Sequence, residues 1–173
     1  MKLLAAVMVV LSLAQVNLQW PPDIRTQREV QTEVEIRAPA ALVWKILTEF
    51  SSYDIWNPYI YPVRGDLRPG ELLDVTLHTD GGVLRYQPAV LIVQPTHQLS
   101  WGGRIPGGMF ERVQTFTVDM IDPDRVRVKS RERFQGYLLP LYGGMPDGAR
   151  RGLETMTRAL RSRAELMTLS PKR

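Results

Sequence analysis

The segment from Val34 to Pro58, VEIRAPAALVWKILTEFSSYDIWNP, constrains this chain most, because a strand, a short helix and a Trp-Asn-Pro turn follow one another in it with almost no linker. Val34 and Ile36 alternate with Glu33, Glu35 and Arg37, the period of two expected of a strand with one buried face. Pro39 stands where a helix would start, and Val43, Leu47 and Phe50 fall on one helical face beside Trp44. The strand runs directly into a helix too short to be stable alone.

After Pro58 the apolar positions keep the strand period: Leu73/Val75/Leu77, then Leu84/Tyr86/Val90/Ile92, then Leu99/Trp101, with turns at Asp80-Gly81-Gly82 and Pro95-Thr96-His97 between them. Phe110, Phe116, Val118 and Met120 share one face of the next strand, and Asp122-Pro123-Asp124 turns it into a partner carrying Val126, Val128 and Phe134. The period then changes. Ala149, Leu153, Met156, Leu160, Ala164 and Met167 form the apolar stripe of a long helix, with Asp147 placed as its cap and Arg150, Arg151, Glu154, Arg158, Arg161 and Glu165 on the far side.

In that order, Ala38-Pro39, Val43-Trp44, Tyr53, Trp56-Asn57-Pro58, Gly65, Gly70, Leu99-Ser100-Trp101, Phe110 and Arg131-Glu132-Arg133-Phe134-Gln135-Gly136 resemble the START and birch-pollen-allergen-like superfamily, SRPBCC. Its polyketide cyclase/dehydrase and lipid-transport subgroup is the nearest in pattern, over roughly residues 31 to 168. The resemblance implies an α+β helix-grip fold, in which a curved antiparallel β-sheet wraps around a long C-terminal α-helix, with a short helix pair after the first strand. It also implies a hydrophobic cavity between sheet and helix, which would take an apolar molecule.

The chain of 173 residues, 44% hydrophobic, suits one domain with a sizeable core, and the absence of cysteine excludes disulfides and thiolate chemistry. Met1-Lys2, the apolar run Leu3 to Ala14 and the small residues Ser12 and Ala14 read as a secretory signal, residues 1–14, or as a membrane anchor extending to about residue 20. Residues 15–30 then read as a linker stiffened by Pro21-Pro22, and 169–173 as a tail. Secretion or a periplasmic location follows from the first reading, membrane attachment from the second.

Pairing the two strands around Asp122-Pro123-Asp124 sets Gln114 opposite Glu132, with Arg112 diagonal to it, on the face that carries Phe110, Phe116 and Phe134. A carboxylate on an apolar face needs a partner, and this cluster reads in three ways. It is a satisfied internal ion pair, an anchor for the polar end of a ligand, or, if Arg112 points away, a site where Glu132 acts as acid or base. Relatives often carry a histidine where this chain has Gln114, and glutamine cannot move a proton. Taken with the resemblance, Arg112, Gln114, Glu132, Trp101, Phe110, Phe116, Phe134, Tyr86, Met156 and Leu160 are the expected ligand contacts, and Trp56, Tyr59, Tyr137, Leu139 and Tyr142 the expected cavity mouth.

His78 and His97 stand apart, neither at metal-ligand spacing, and no phosphate-cradling loop precedes a helix, so neither metal nor cofactor is expected. Arg125, Arg127, Lys129, Arg131 and Arg133 alternate along one strand face; they could meet an anionic membrane surface, or be balanced by Glu111 and Asp119 next door. Nucleic acid is disfavoured, since no exposed aromatics interleave with these cations. The function expected is binding of a hydrophobic small molecule or lipid. A polyketide-cyclase-like enzyme and an envelope interaction protein with a filled interior are the alternatives.

Overall fold

The structure of the protein, a computed structural model, describes residues 26–169. Eight strands and three helices follow in the order β1 (Thr26–Ile36), α1 (Ala40–Thr48), α2 (Tyr53–Trp56), β2 (Ile60–Arg64), β3 (Asp74–Thr79), β4 (Gly82–Tyr86), β5 (Ala89–Gln94), β6 (Gln98–Ile105), β7 (Phe110–Asp122), β8 (Arg125–Gly136) and α3 (Met145–Leu169). The strands form an antiparallel sheet of five, ordered β1-β8-β7-β6-β5, and one of three, ordered β2-β3-β4. The helix-grip fold expected from the sequence is what the chain adopts, with α3 laid across the inner face and α1 and α2 closing one end.

The β7–β8 hairpin turns at Asp122-Pro123-Asp124 in the anticipated register, with Val118 opposite Val128 and Gln114 opposite Glu132. Their inner residues, Phe116, Val118, Val126, Val128 and Phe134, are buried, as are Leu153, Met156, Leu160 and Ala164 of α3. The core that these surfaces form is completed by Leu47 of α1, Tyr53 of α2, Ile60 of β2 and Leu77 of β3.

Three boundaries differ from the sequence reading. β1 begins at Thr26, inside the expected 15–30 linker, because it pairs with β8 from Thr26↔Gly136 to Ile36↔Val126; the polar Thr26 to Glu29 carry a ladder that their composition does not announce. The alternation from Leu84 to Ile92 is not one strand. It breaks at Gln87-Pro88, where proline has no N–H to give a ladder, and its halves join different sheets. Finally, α3 starts at Met145, which puts Asp147 in the first helical turn rather than at the cap, where its charge still suits the positive helix end.

The expected signal or anchor, the linker before Thr26 and the last four residues lie outside the described part. Among the described residues no helix is long and apolar enough to cross a membrane.

Candidate functional site

Asn57 begins the site by building a turn. Its side-chain Oδ1 accepts hydrogen bonds from the backbone N–H groups of Tyr59 (3.0 Å) and Ile60 (2.9 Å), so the Trp-Asn-Pro motif bends the chain and directs Tyr59 inward at the start of β2. The ring of Tyr59 then lies against Gly152 of α3, where a Cβ would approach it to 2.3 Å. Only glycine leaves room there.

The Tyr59 hydroxyl completes a buried polar cluster between β7, β8 and α3. It donates to Glu132 Oε2 at 3.3 Å and accepts from Arg112 Nη2 at 3.1 Å, while Arg112 Nε donates to Glu132 Oε1. Glu132 is wholly buried and Arg112 is 5% exposed. The guanidinium also lies over the Tyr86 ring, 4.9 Å from its centroid, and 5.8 Å from that of Phe134. Burial pushes the Tyr59 phenol up from its ordinary pKa, with the Arg112 charge pulling the other way, so at neutral pH the hydroxyl stays protonated.

Arg112 points at Glu132, not away from it, so the condition set for Glu132 as an acid or base is unmet: its carboxylate is held by a guanidinium and a phenol. Gln114 lies one step deeper, its amide nitrogen donating to Ser130 Oγ and to the Arg131 carbonyl, both at 3.1 Å. It ties β7 to β8.

Two clefts meet at Arg112. The larger, about 460 Å³, runs between the β3–β4 hairpin and the start of α3, past Tyr59, Leu77, Phe134, Gly148 and Ala149. The smaller, about 350 Å³, runs the other way between β4 and β6, past Tyr86, Gly103, Ile105 and Phe110. Arg112, Leu84 and Met145 line both and so form the wall that the two clefts share.

Of the expected contacts, Arg112, Tyr86, Phe110 and Phe134 line these clefts. Glu132 sits behind Arg112. Trp101, Phe116, Met156 and Leu160 are buried outside both, Trp101 and Phe116 with ring centroids 5.4 Å apart. The expected mouth is corrected. Tyr59 is at the floor; Trp56 is buried edge-on to Tyr53; Tyr137 is half exposed, away from both clefts. Leu139 is buried beside a separate hollow of about 210 Å³ that it lines with Arg28 of β1, and the N–H of Leu138 bonds to the Met109 carbonyl just before β7. The side chain of Tyr142 lies outside the described part. Leu84, Met145, Asn57 and Gly152 were not anticipated; the four-residue spacing of Gly144, Gly148 and Gly152 is the sequence signal that marks this stretch of α3 as thin.

The cation row on the outer face of β8 is matched. Arg127 pairs with Glu33 (3.0 Å) and Glu35 (2.7 Å), Lys129 with Asp119 (2.9 Å), Arg131 with Glu29 (3.4 Å), Arg125 with Asp122 (3.0 Å), and Arg133 lies 4.0 Å from Glu111. His78 stacks on Tyr61 with centroids 4.0 Å apart. Among the described residues no group of three or more acidic or histidine side chains could hold a metal ion.

A sheet gripping a helix, with a polar cluster at the foot of apolar clefts, invites comparison, and the family model for polyketide cyclase / dehydrase and lipid transport matches residues 27–166. The chain belongs to that family. Members of the family are associated with hydrophobic ligands or with cyclase-like chemistry. Among solved structures, a START superfamily protein from Mycobacterium smegmatis is 22% identical, with TM-score 0.64 over 80% of this chain and 98% of its own. Norcoclaurine synthase from Thalictrum flavum, with dopamine and hydroxybenzaldehyde, is 16% identical, with TM-score 0.63 over 86% and 91%. The Zhui aromatase/cyclase from Streptomyces sp. R1128 is 18% identical, with TM-score 0.61 over 84% and 98%. At these identities the likeness is one of fold. No curated protein matches the chain significantly.

Proposed function

We propose that this family member binds a hydrophobic small molecule or lipid in the two clefts that share Arg112. The observation that carries the reading is the placement of a single, almost buried guanidinium where two mostly apolar clefts meet. A hydrogen-bond donor in such a setting fixes orientation, and the apolar walls supply affinity. Binding is preferred to catalysis because Glu132, the one candidate for moving a proton, is engaged by Arg112 and Tyr59.

Native mass spectrometry of the purified full chain, followed by organic extraction, tests the reading. A retained apolar compound, released intact, supports it. A clean unliganded mass, with no thermal shift across lipids and polyketide-like aromatics, overturns it in favour of an interaction protein, and conversion of an extracted compound on incubation would put the cyclase-like reading in its place.

We further propose that the protein acts outside the cytoplasm, released or tethered. The support is the run from Leu3 to Ala14 behind Lys2. Sequencing the N-terminus of the protein from its native host decides the form: a start near Gln15 means cleavage, an intact Met1 in the membrane fraction means an anchor, and an intact Met1 in the soluble cytoplasm removes the proposal.

A further inference from the structure

The clefts and their shared wall say more about the ligand than that it is apolar. Arg112 is common to both, yet each leads away from it in its own direction: one toward Leu77, Ala149 and the hairpin at Thr79–Gly82, the other toward Phe110, Gly103 and Tyr86. A ligand with its polar group at one end would fill one cleft and leave the other open. Filling both requires two apolar arms that meet at a polar centre.

The charge at that centre is also fixed. Nε of Arg112 is used by Glu132 and Nη2 by Tyr59, while Nη1 has no hydrogen-bond partner among the described residues. Nη1, with its two N–H groups, is therefore open to a ligand. The positive charge, however, is already matched by a wholly buried carboxylate. A ligand anion would bring a second negative charge to the same guanidinium, and two like charges in a desolvated site raise each other's cost. A neutral acceptor oxygen meets no such penalty.

Resting on the binding reading above, we propose that the ligand is a neutral, two-armed amphiphile: a ketone, ester or secondary alcohol whose mid-chain oxygen accepts a hydrogen bond from Arg112. Its arms lie on either side of Leu84 and Met145, which part to admit it. Two glycines allow each arm to be blocked separately. Gly148 lines only the larger cleft, and a Cβ there meets nothing within 4 Å, so Gly148→Leu fills that cleft. Gly103 lines only the smaller, and a Cβ there points at the Tyr86 ring 3.5 Å away, so Gly103→Val narrows that one.

The test is calorimetric titration of the full chain with four thirteen-carbon probes below their aggregation concentrations. They are the ketone with its carbonyl at the central carbon, the isomeric methyl ketone, the alkane and the carboxylic acid, at a pH where the acid is ionised. The central ketone should bind at least tenfold more tightly than the methyl ketone and the acid, and each glycine variant, its fold verified by circular dichroism, should cut that advantage to less than threefold. If the methyl ketone or the acid equals or exceeds the central ketone in the wild type, the two-armed neutral ligand is wrong while an apolar site stands. If none of the four binds the folded wild type, the apolar site falls too. The wild-type ranking decides even where a variant fails to fold.

Discussion

The interior of this protein has two ends built from the same strands and the same helix, and they differ in what α3 offers the sheet. At the closed end α3 presents Leu153, Met156 and Leu160, buried in one core with Trp101, Phe116 and Val118, and Phe50 sets its ring edge-on to both Tyr53 and Trp101. At the open end α3 presents Gly148, Ala149 and Gly152, following Gly144, and the sheet opposite carries Arg112, Glu132 and Phe134. Large residues against large residues leave no space; glycine and alanine against a wide sheet leave a cleft, and charge is tolerated beside it because the cluster satisfies itself. The site therefore exists through a change of side-chain size along one helix, not through any irregularity of the sheet.

The largest effect should come from hollowing the closed end. Phe116→Ala is expected to cost about 3–5 kcal/mol in urea unfolding, since a fully buried ring leaves a void that packed neighbours cannot fill. Leu84→Ala, on a side chain already 41% exposed beside both clefts, should cost less than about 1 kcal/mol. Similar losses at the two positions would erase the distinction between the ends.

Breaking the ion pair is next. Glu132→Gln leaves Arg112 almost buried without its counter-charge, and about 3 kcal/mol should be lost, the lower part of the range for such pairs because the adjoining clefts can admit water. The double replacement Arg112→Met with Glu132→Leu should recover most of that, because apolar groups of similar size need no partner. A double variant as unstable as the single one would mean that the pair holds the open end together rather than merely satisfying itself.

On α3 the comparison sharpens to the sign of one substitution. Alanine normally stabilises a helix over glycine by up to about 1 kcal/mol, and Gly148→Ala, with open space at its Cβ, should show that gain. Gly152→Ala should instead lose about 1–3 kcal/mol, since its methyl would collide with the Tyr59 ring and push the hydroxyl off Arg112 and Glu132. Thermal melts of the two variants, four residues apart, would move in opposite directions. A stabilised Gly152→Ala would show that Tyr59 is free to leave the helix.

How much of this was legible beforehand follows the same division. Periodicity reports which face of an element is buried, so the β7–β8 register, the stripe on α3 and the placement of Arg112 and Glu132 on one inner face could be read from spacing, while their pairing stayed one of three readings until the structure turned Arg112 toward Glu132. Spacing does not report how far apart two buried faces stand. Trp101, Phe116, Met156 and Leu160 are inside, as the sequence implies, yet they belong to the packed core instead of lining the clefts, and only the sizes of the residues opposite could have told the difference. Tyr59 is expected at the mouth with Trp56, Tyr137, Leu139 and Tyr142; its inward direction comes from the Asn57 side chain accepting two backbone hydrogen bonds, a three-dimensional fact that an Asn-Pro pair only hints at. The hairpin that forms the actual rim was read as a strand connection, since nothing in Thr79-Asp80-Gly81-Gly82 says that its Asp80 will reach Arg151 of α3.

The two ends should also part at high pH, though the effect is the smallest of these. Burial raises the phenol pKa of Tyr53 at the closed end and of Tyr59 at the open end, so in both cases the folded protein keeps a proton that the unfolded chain releases near pH 10. The sign follows from linkage: stability from these groups is complete below pH 10 and falls as pH rises above it, by about half a kcal/mol per tyrosine at the onset. Tyr53 has no cation among the causes of its shift, and its hydroxyl donates to the Leu47 carbonyl at 2.6 Å, whereas Arg112 favours the tyrosinate of Tyr59 and offsets part of the burial. Tyr53→Phe should therefore flatten the alkaline decline of urea stability more than Tyr59→Phe does. Equal flattening would mean that Arg112 is spent on Glu132 and gives Tyr59 nothing, a stricter form of the charge matching on which the choice of a neutral ligand depends.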